Sequence, residues 1–234
     1  MLNQEVIVER VTIVMAKNVL MVVTSHSKVN NEAKTGIWLS EFAEAYIEFQ
    51  NKGYNVTIAS VDGGKPPIDE GSMQQETRQE ILDAEKYLEE TVKVDTVSAS
   101  DFDAIFIPGG HGAMFDLPES QKVQELIREF YEADKYVASV CRGPAALVNV
   151  TLSNGKLLVS GKRVNAFTDS EEEDTGLTAH MPFLLESRLC ELGAEFVTAP
   201  NWSEHVESDG FLITGQNPQS TEAVAKEFVQ KLGS

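Results

Sequence analysis

Of the 234 residues, 42% are hydrophobic and 24% charged, enough apolar side chain for a core without disulfide staples, which excludes disorder, collagen and small disulfide scaffolds. Lys plus Arg total 19 against 37 Asp plus Glu, and the resulting formal charge of −18 repels phosphate backbones and anionic lipid, arguing against a nucleic-acid or membrane-surface partner. Two cysteines, Cys141 and Cys190, show no zinc spacing and suit a reducing, cytoplasmic compartment.

In chain order, the most apolar stretch, Val6 to Thr24, is broken by Glu9, Arg10 and Lys17, so it reads neither as a spanning helix nor as a signal peptide. Residues 1–14 read as an extension or an extra strand, and 15–234 as one α/β domain. Strands are expected at Val19 to Thr24, Asn55 to Val61, Ala104 to Pro108 and Tyr136 to Val140. Helices are expected between them at Ile37 to Gln50, Met73 to Glu90 and Ser120 to Ala133. A helix around Thr178 to Leu192, a strand at Phe211 to Gly215 and a helix at Pro218 to Lys231 complete the chain. Strand-length apolar runs alternating with helical periods predict a doubly wound, mostly parallel sheet with helices on both faces and its sites at the carboxyl ends of the strands.

The most informative run is Tyr136-Val-Ala-Ser-Val-Cys141-Arg142-Gly143-Pro144-Ala145. An apolar strand ends on a cysteine, Gly143 permits a tight turn, and Pro144 suits the first turn of a helix. Such a turn lifts residue 141 into a crevice beside the positive end of a helix, where thiolate is favoured over thiol. A lone cysteine is also commonly a buried structural thiol, and the turn alone does not choose between the two.

One strand earlier, Pro108-Gly109-Gly110-His111-Gly112 places glycines directly after a strand, where the N–H groups of Gly110 and Arg142 have the placement of an oxyanion hole. It is neither a dinucleotide fingerprint nor a phosphate loop, so no cofactor is expected. His111 reads as a loop residue shaping the site rather than as a base. On a helical wheel Glu41 falls inside the apolar arc of Ile37, Trp38, Phe42, Ala45, Tyr46 and Phe49. Directed at the core it would titrate near neutrality; at the border of the arc it would simply reach water, and the wheel favours the border. Glu171 to Asp174 reads as a solvated helix start, Cys190 as helix packing, and His26, His180 and His205 show no metal-ligand spacing.

Together with Thr35-Gly-Ile-Trp38-Leu-Ser-Glu41, Phe167-Thr-Asp-Ser-Glu-Glu172, Pro182-Phe-Leu-Leu-Glu186 and Thr214-Gly-Gln-Asn-Pro218, these runs resemble the PfpI-type, or DJ, superfamily with its class I glutamine-amidotransferase-like fold. More narrowly they are similar to its heat-shock branch of glutathione-independent glyoxalases. The resemblance covers nearly everything from Lys17 onward. It implies Cys141 as nucleophile, Glu41 as its proton-exchanging neighbour, Glu172 as the acidic third member of a triad, and Gly110, His111, Arg142 and Trp38 around the substrate. It also implies a small reactive 2-oxoaldehyde substrate, conversion of methylglyoxal to lactate or repair of glycated groups without cofactor, holdase-like chaperone activity and a homodimer. One position departs: where such members carry histidine after the nucleophile, this chain has Arg142, whose guanidinium cannot shuttle a proton. That departure motivates an alternative, a stress-response chaperone or thiol sensor whose Cys141 would oxidise before Cys190.

Overall fold

Central strands that are apolar on every residue have no face to turn to water, so helices must cover both sides. The computed structural model describes residues 16–30, 33–74 and 76–234. It has strands β1 (Asn18–Val23), β2 (Asn55–Ser60), β3 (Val92–Lys93), β4 (Ala104–Ile107), β5 (Tyr136–Val140), β6 (Arg163–Val164), β7 (Glu195–Phe196), β8 (Val206–Asp209) and β9 (Leu212–Gly215). Seven of them form one sheet in the order β3-β2-β1-β4-β5-β9-β8, and β6 pairs with β7 in a small second sheet. Every pair in the large sheet is parallel except the β8–β9 hairpin, so the mostly parallel α/β class predicted from the sequence is the one observed.

Successive side chains on a strand point to opposite faces and divide the core in two. Val19, Met21, Val23, Phe106 and Val140 pack beneath α1 (Leu39–Asn51) and, near the carboxyl end of the chain, α7 (Thr221–Leu232). There Phe49, Phe106 and Phe228 meet with ring centroids 5.1 to 6.0 Å apart. Leu20, Val22, Ile105 and Val137 pack beneath α3 (Ala113–Asp116) and α4 (Gln121–Glu132). The remaining helices are α2 (Gln79–Asp83), α5 (Asp169–Thr175) and α6 (Leu185–Glu191).

Two expected helices are shorter than anticipated. Within Met73 to Glu90 only Gln79–Asp83 is α-helical, continued by a 3₁₀ turn at Ala84–Leu88, because residues 74–80 are polar throughout and only Ile81, Ala84 and Leu88 form a buried stripe. Within Thr178 to Leu192, Pro182 holds Met181 extended (φ −76°, ψ 141°), and α-helix begins only at Leu185. The turn after β5 is likewise a short 3₁₀ segment, Gly143–Leu147, not a long helix. Strands β3, β6, β7 and β8 were not anticipated; three of them have only two residues. The expectation for residues 1–14 falls outside the described residues, among which no helix is long and apolar enough to cross a membrane.

From β1 the chain runs outward to β2 and β3, then returns to β4 on the other side of β1. The connections after β1 and β4 therefore diverge, and their carboxyl ends are the place where sites form in open α/β sheets.

Candidate active site

Cys141 directly follows β5 and adopts φ +58°, a left-handed conformation that costs a non-glycine residue about 1–3 kcal/mol unless its surroundings enforce it. Here they do: its N–H donates to the Gly215 carbonyl and its own carbonyl accepts the Phe167 N–H, both at 2.9 Å. Gly143 completes the turn, since a Cβ at that position would lie 2.2 Å from the Ile107 carbonyl oxygen. The elbow expected from the sequence is present, but it does not open the thiol to solvent. Cys141 is fully buried within the face covered by α1 and α7. Burial raises its pKa well above the usual thiol range, the Glu41 carboxylate raises it further, and Arg142 only partly opposes them. The expected open, thiolate-favouring nook is thus a sealed site holding a thiol, because a short 3₁₀ segment supplies little dipole against complete desolvation.

Glu41 settles the question its helical wheel left open by facing the core. It is fully buried in the first turn of α1, and its Oε2 accepts the Gly109 N–H at 2.6 Å. Burial lifts its pKa to about 8 against the pull of the neighbouring Cys141 thiol, of the Gly109 N–H and of Arg142. At neutral pH this carboxyl carries a proton. Because Oε2 accepts from Gly109, the proton belongs on Oε1, a buried atom with no hydrogen-bond partner.

Gly109 fits only because it lacks a side chain, a Cβ there lying 2.6 Å from the Arg142 nitrogen and 2.9 Å from Glu41 Oε2. Gly110, at φ +109°, passes equally close to the Gly36 carbonyl. The two backbone segments expected to donate to an oxyanion therefore meet beside the cysteine. Trp38 bonds the same loop through its backbone, its N–H donating to the Gly109 carbonyl at 3.1 Å, while its indole lies over Gly71.

Arg142 points back into the protein and is 3% exposed. Its Nη1 lies 3.8 Å from Cys141 Sγ, its Nε donates to Glu172 Oε2 at 2.8 Å, and its guanidinium stacks on Phe167 at 3.8 Å. Arg142 Nη2 is buried without a partner. The other oxygen of Glu172 accepts from His111 Nε2 at 2.9 Å. Burial alone would raise Glu172, but these hydrogen bonds outweigh it and bring the carboxyl down to about 2. His111 moves the other way: burial and the Arg142 charge lower it despite Glu172.

The acidic run 171–174 lies in the opening helix expected, and Glu173 and Asp174 are exposed, but Glu171 and Glu172 are buried instead of solvated. Thr168 and Glu171 form a capping box on α5, and Glu171 is fully buried. Its Oε1 also receives the Trp202 N–H at 2.7 Å, Gln216 Nε2 at 3.2 Å and Asn217 Nδ2 at 2.8 Å, which gives the Thr214–Pro218 run its structural purpose. The Thr-x-x-Glu spacing is a readable signal for that cap. No local pattern announces the pairing of His111 with Glu172, 61 residues apart. Outside the site, His26 stacks on Phe115 at 4.6 Å and His205 pairs with Glu207 at 3.1 Å. Cys190 on α6 is exposed.

A parallel sheet carrying a strained cysteine at the carboxyl end of a central strand, faced by a buried glutamate from the first helix, defines a cysteine-elbow α/β protein. The DJ-1/PfpI family model matches residues 33–231, and the chain belongs to that family. It is 31% identical to a glutathione-independent glyoxalase of Saccharomyces cerevisiae over 92% of this chain and 98% of that one. Among solved structures it is similar to glyoxalase III from Candida albicans (TM-score 0.85, 27% identity, 92% of this chain and 96% of that one). A Francisella tularensis rapid encystment protein matches with TM-score 0.88 and 38% identity over 92% of this chain and 99% of that one.

Proposed function

We propose that the protein is a glutathione-independent glyoxalase that converts a small 2-oxoaldehyde such as methylglyoxal to its 2-hydroxy acid, using Cys141 as nucleophile. The observation that carries this reading is the fully buried Glu41 carboxyl, held by the Gly109 N–H in the same closed site as the strained Cys141 and tuned to about 8, where it can both give and take a proton.

Cys141 adds to the aldehyde carbon, so that an S–C bond forms, the thiol proton passes to Glu41, and the Glu41 Oε1 proton goes to the aldehyde oxygen. Glu41 then gives its proton to the ketone oxygen as it takes the hydrogen from the former aldehyde carbon, and returns that hydrogen to the neighbouring carbon of the enediol as it takes the hydroxyl proton of the sulfur-bearing carbon, giving a thioester and a protonated Glu41. Water breaks the S–C bond and releases the hydroxy acid, so the net change is 2-oxoaldehyde plus water to 2-hydroxy acid. The N–H groups of Gly110 and Arg142 would hold the oxyanion, and the Arg142 guanidinium near Sγ would offset enediolate charge. Incubation with methylglyoxal should yield lactate, with Cys141→Ala reduced to the uncatalysed rate; equal rates would reject the reading.

Two free cysteines fit a cytoplasmic setting, and the homodimer implied by the family resemblance predicts about twice the monomer mass in light scattering. The thiol-sensor alternative is disfavoured by the complete burial and raised pKa of Cys141.

A further inference from the structure

The thioester leaves one step without an obvious catalyst. Water must lose a proton as it attacks, yet Glu41 in the first turn of α1 already carries a proton at neutral pH and its Oε2 is held by Gly109. Arg142 has no lone pair to offer. Glu172 is an ionised carboxylate whose oxygens already take Arg142 Nε, His111 Nε2 and the Thr175 hydroxyl. That leaves His111.

A carboxylate can only accept, so the 2.9 Å contact to Glu172 Oε1 obliges His111 Nε2 to carry the proton. In the neutral ring Nδ1 then bears the free lone pair. Nδ1 has no hydrogen-bond partner among the described residues, and the side chain keeps 7% exposure where Glu41 keeps none. The charged groups acting on the ring are Glu172 from α5, Arg142 from the turn after β5 and Asp69 from the segment ahead of the 70–72 turn. Burial and Arg142 keep the ring neutral at working pH, with Glu172 and Asp69 opposing. His111 follows Gly110 in the glycine loop, and its ring is joined to the cysteine through Glu172 and Arg142, whose Nη1 lies 3.8 Å from Cys141 Sγ.

We propose that His111, held in one tautomer by Glu172, is the general base for the water that hydrolyses the Cys141 thioester. Nδ1 takes a proton from water as the hydroxide oxygen bonds the acyl carbon, and the imidazolium, steadied by Glu172, returns that proton to the departing sulfur. The base is thereby supplied from the glycine loop after β4 and its orienting carboxylate from α5, while Arg142 occupies the position next to the nucleophile. This step rests on the covalent reading above, and its test separates the two.

The experiment compares wild type with His111→Gln, which preserves a hydrogen-bond donor toward Glu172 but offers no base of imidazole strength. With methylglyoxal, His111→Gln should release lactate at least about 100-fold more slowly, while intact mass shows a lactoyl thioester accumulating on Cys141. With p-nitrophenyl acetate, and with Cys190 replaced by serine in both proteins, each should show a burst of about one equivalent, and only His111→Gln should retain the acetyl group. Lactate release within twofold of wild type, or slower release with no thioester accumulating, overturns the proposal. A wild type that makes no lactate but deacetylates Cys141 in a His111-dependent manner rejects the glyoxalase reading and leaves His111 as base. Failure of both reagents to acylate Cys141 overturns both.

Discussion

Glu41 is the residue on which the chemistry and its cost both fall. An acid whose folded pKa is about 8 instead of 4.5 binds a proton in the native state that the unfolded chain releases, so its contribution to stability is complete below about 4.5 and is lost as pH rises toward 8. Each pH unit crossed in that window removes about 1.4 kcal/mol, and the whole loss amounts to several kcal/mol. Glu41→Gln should therefore abolish lactate formation while raising the unfolding midpoint at pH 8, with little difference from wild type at pH 4; denaturant titrations at the two pH values check the sign. Glu44, raised to about 7, acts in the same direction and is common to both proteins. Glu172 works oppositely: lowered to about 2, it stabilises above about 4.5 and the stabilisation fades as pH falls toward 2. Removing it strands the Arg142 charge in the interior, and Glu172→Ala should cost about 3–5 kcal/mol in denaturant unfolding. The two cysteines divide just as sharply. Cys141 is sealed and Cys190 exposed, so iodoacetamide under native conditions should modify Cys190 first, the reverse of the order that an open elbow implies.

At the scale of elements, the site depends on how tightly the ends of β4, β5 and β9 are drawn together. Gly143 lets the turn after β5 press against the Ile107 carbonyl, and Gly215 on β9 accepts the Cys141 N–H while its own α-carbon lies against α7. Gly143→Ala puts a methyl group 2.2 Å from a backbone oxygen that cannot retreat without unpairing β4 from β5. It should cost at least about 2 kcal/mol and slow lactate formation more than Phe228→Ala. The latter empties the α1–α7 aromatic cluster, for about 3–5 kcal/mol, without touching the elbow. Comparing thermal midpoints with turnover for the two variants separates loss of packing from loss of site geometry. Helix α5 acts as a bracket: its capping box secures its start, and its two buried glutamates tie the 214–218 run and the Arg142–His111 pair to one short helix.

For the whole molecule, a formal charge of −18 produces self-repulsion that salt relieves, so the thermal midpoint should rise between 10 mM and 300 mM NaCl as the Debye length falls from about 30 Å to below 8 Å. A midpoint that falls instead would place the weight on attractive pairs such as Lys65–Glu89 and Arg163–Glu207. The layered sheet was legible in the sequence because burial on both faces leaves a continuous apolar run, visible in the Val19–Val23 stretch of β1. The cysteine elbow and the glycine loop were legible for a related reason, since a tight turn after a strand needs particular residues at adjacent positions. Glu41 was legible only to the edge of its arc: period placed it near the core, and the Gly109 N–H that donates to it lies 68 residues away. The ends of the second and fourth anticipated helices were misjudged where helical propensity had no apolar stripe to bury, or where Pro182 intervened. Composition and periodicity thus determined the class of the fold by themselves, and the residue types around Cys141 determined that a tight turn follows β5 there. Whether the thiol is sealed, which carboxyl holds a proton and which histidine faces Glu172 were decided by tertiary structure alone, because desolvation and hydrogen bonding depend on neighbours that the chain brings together from distant positions.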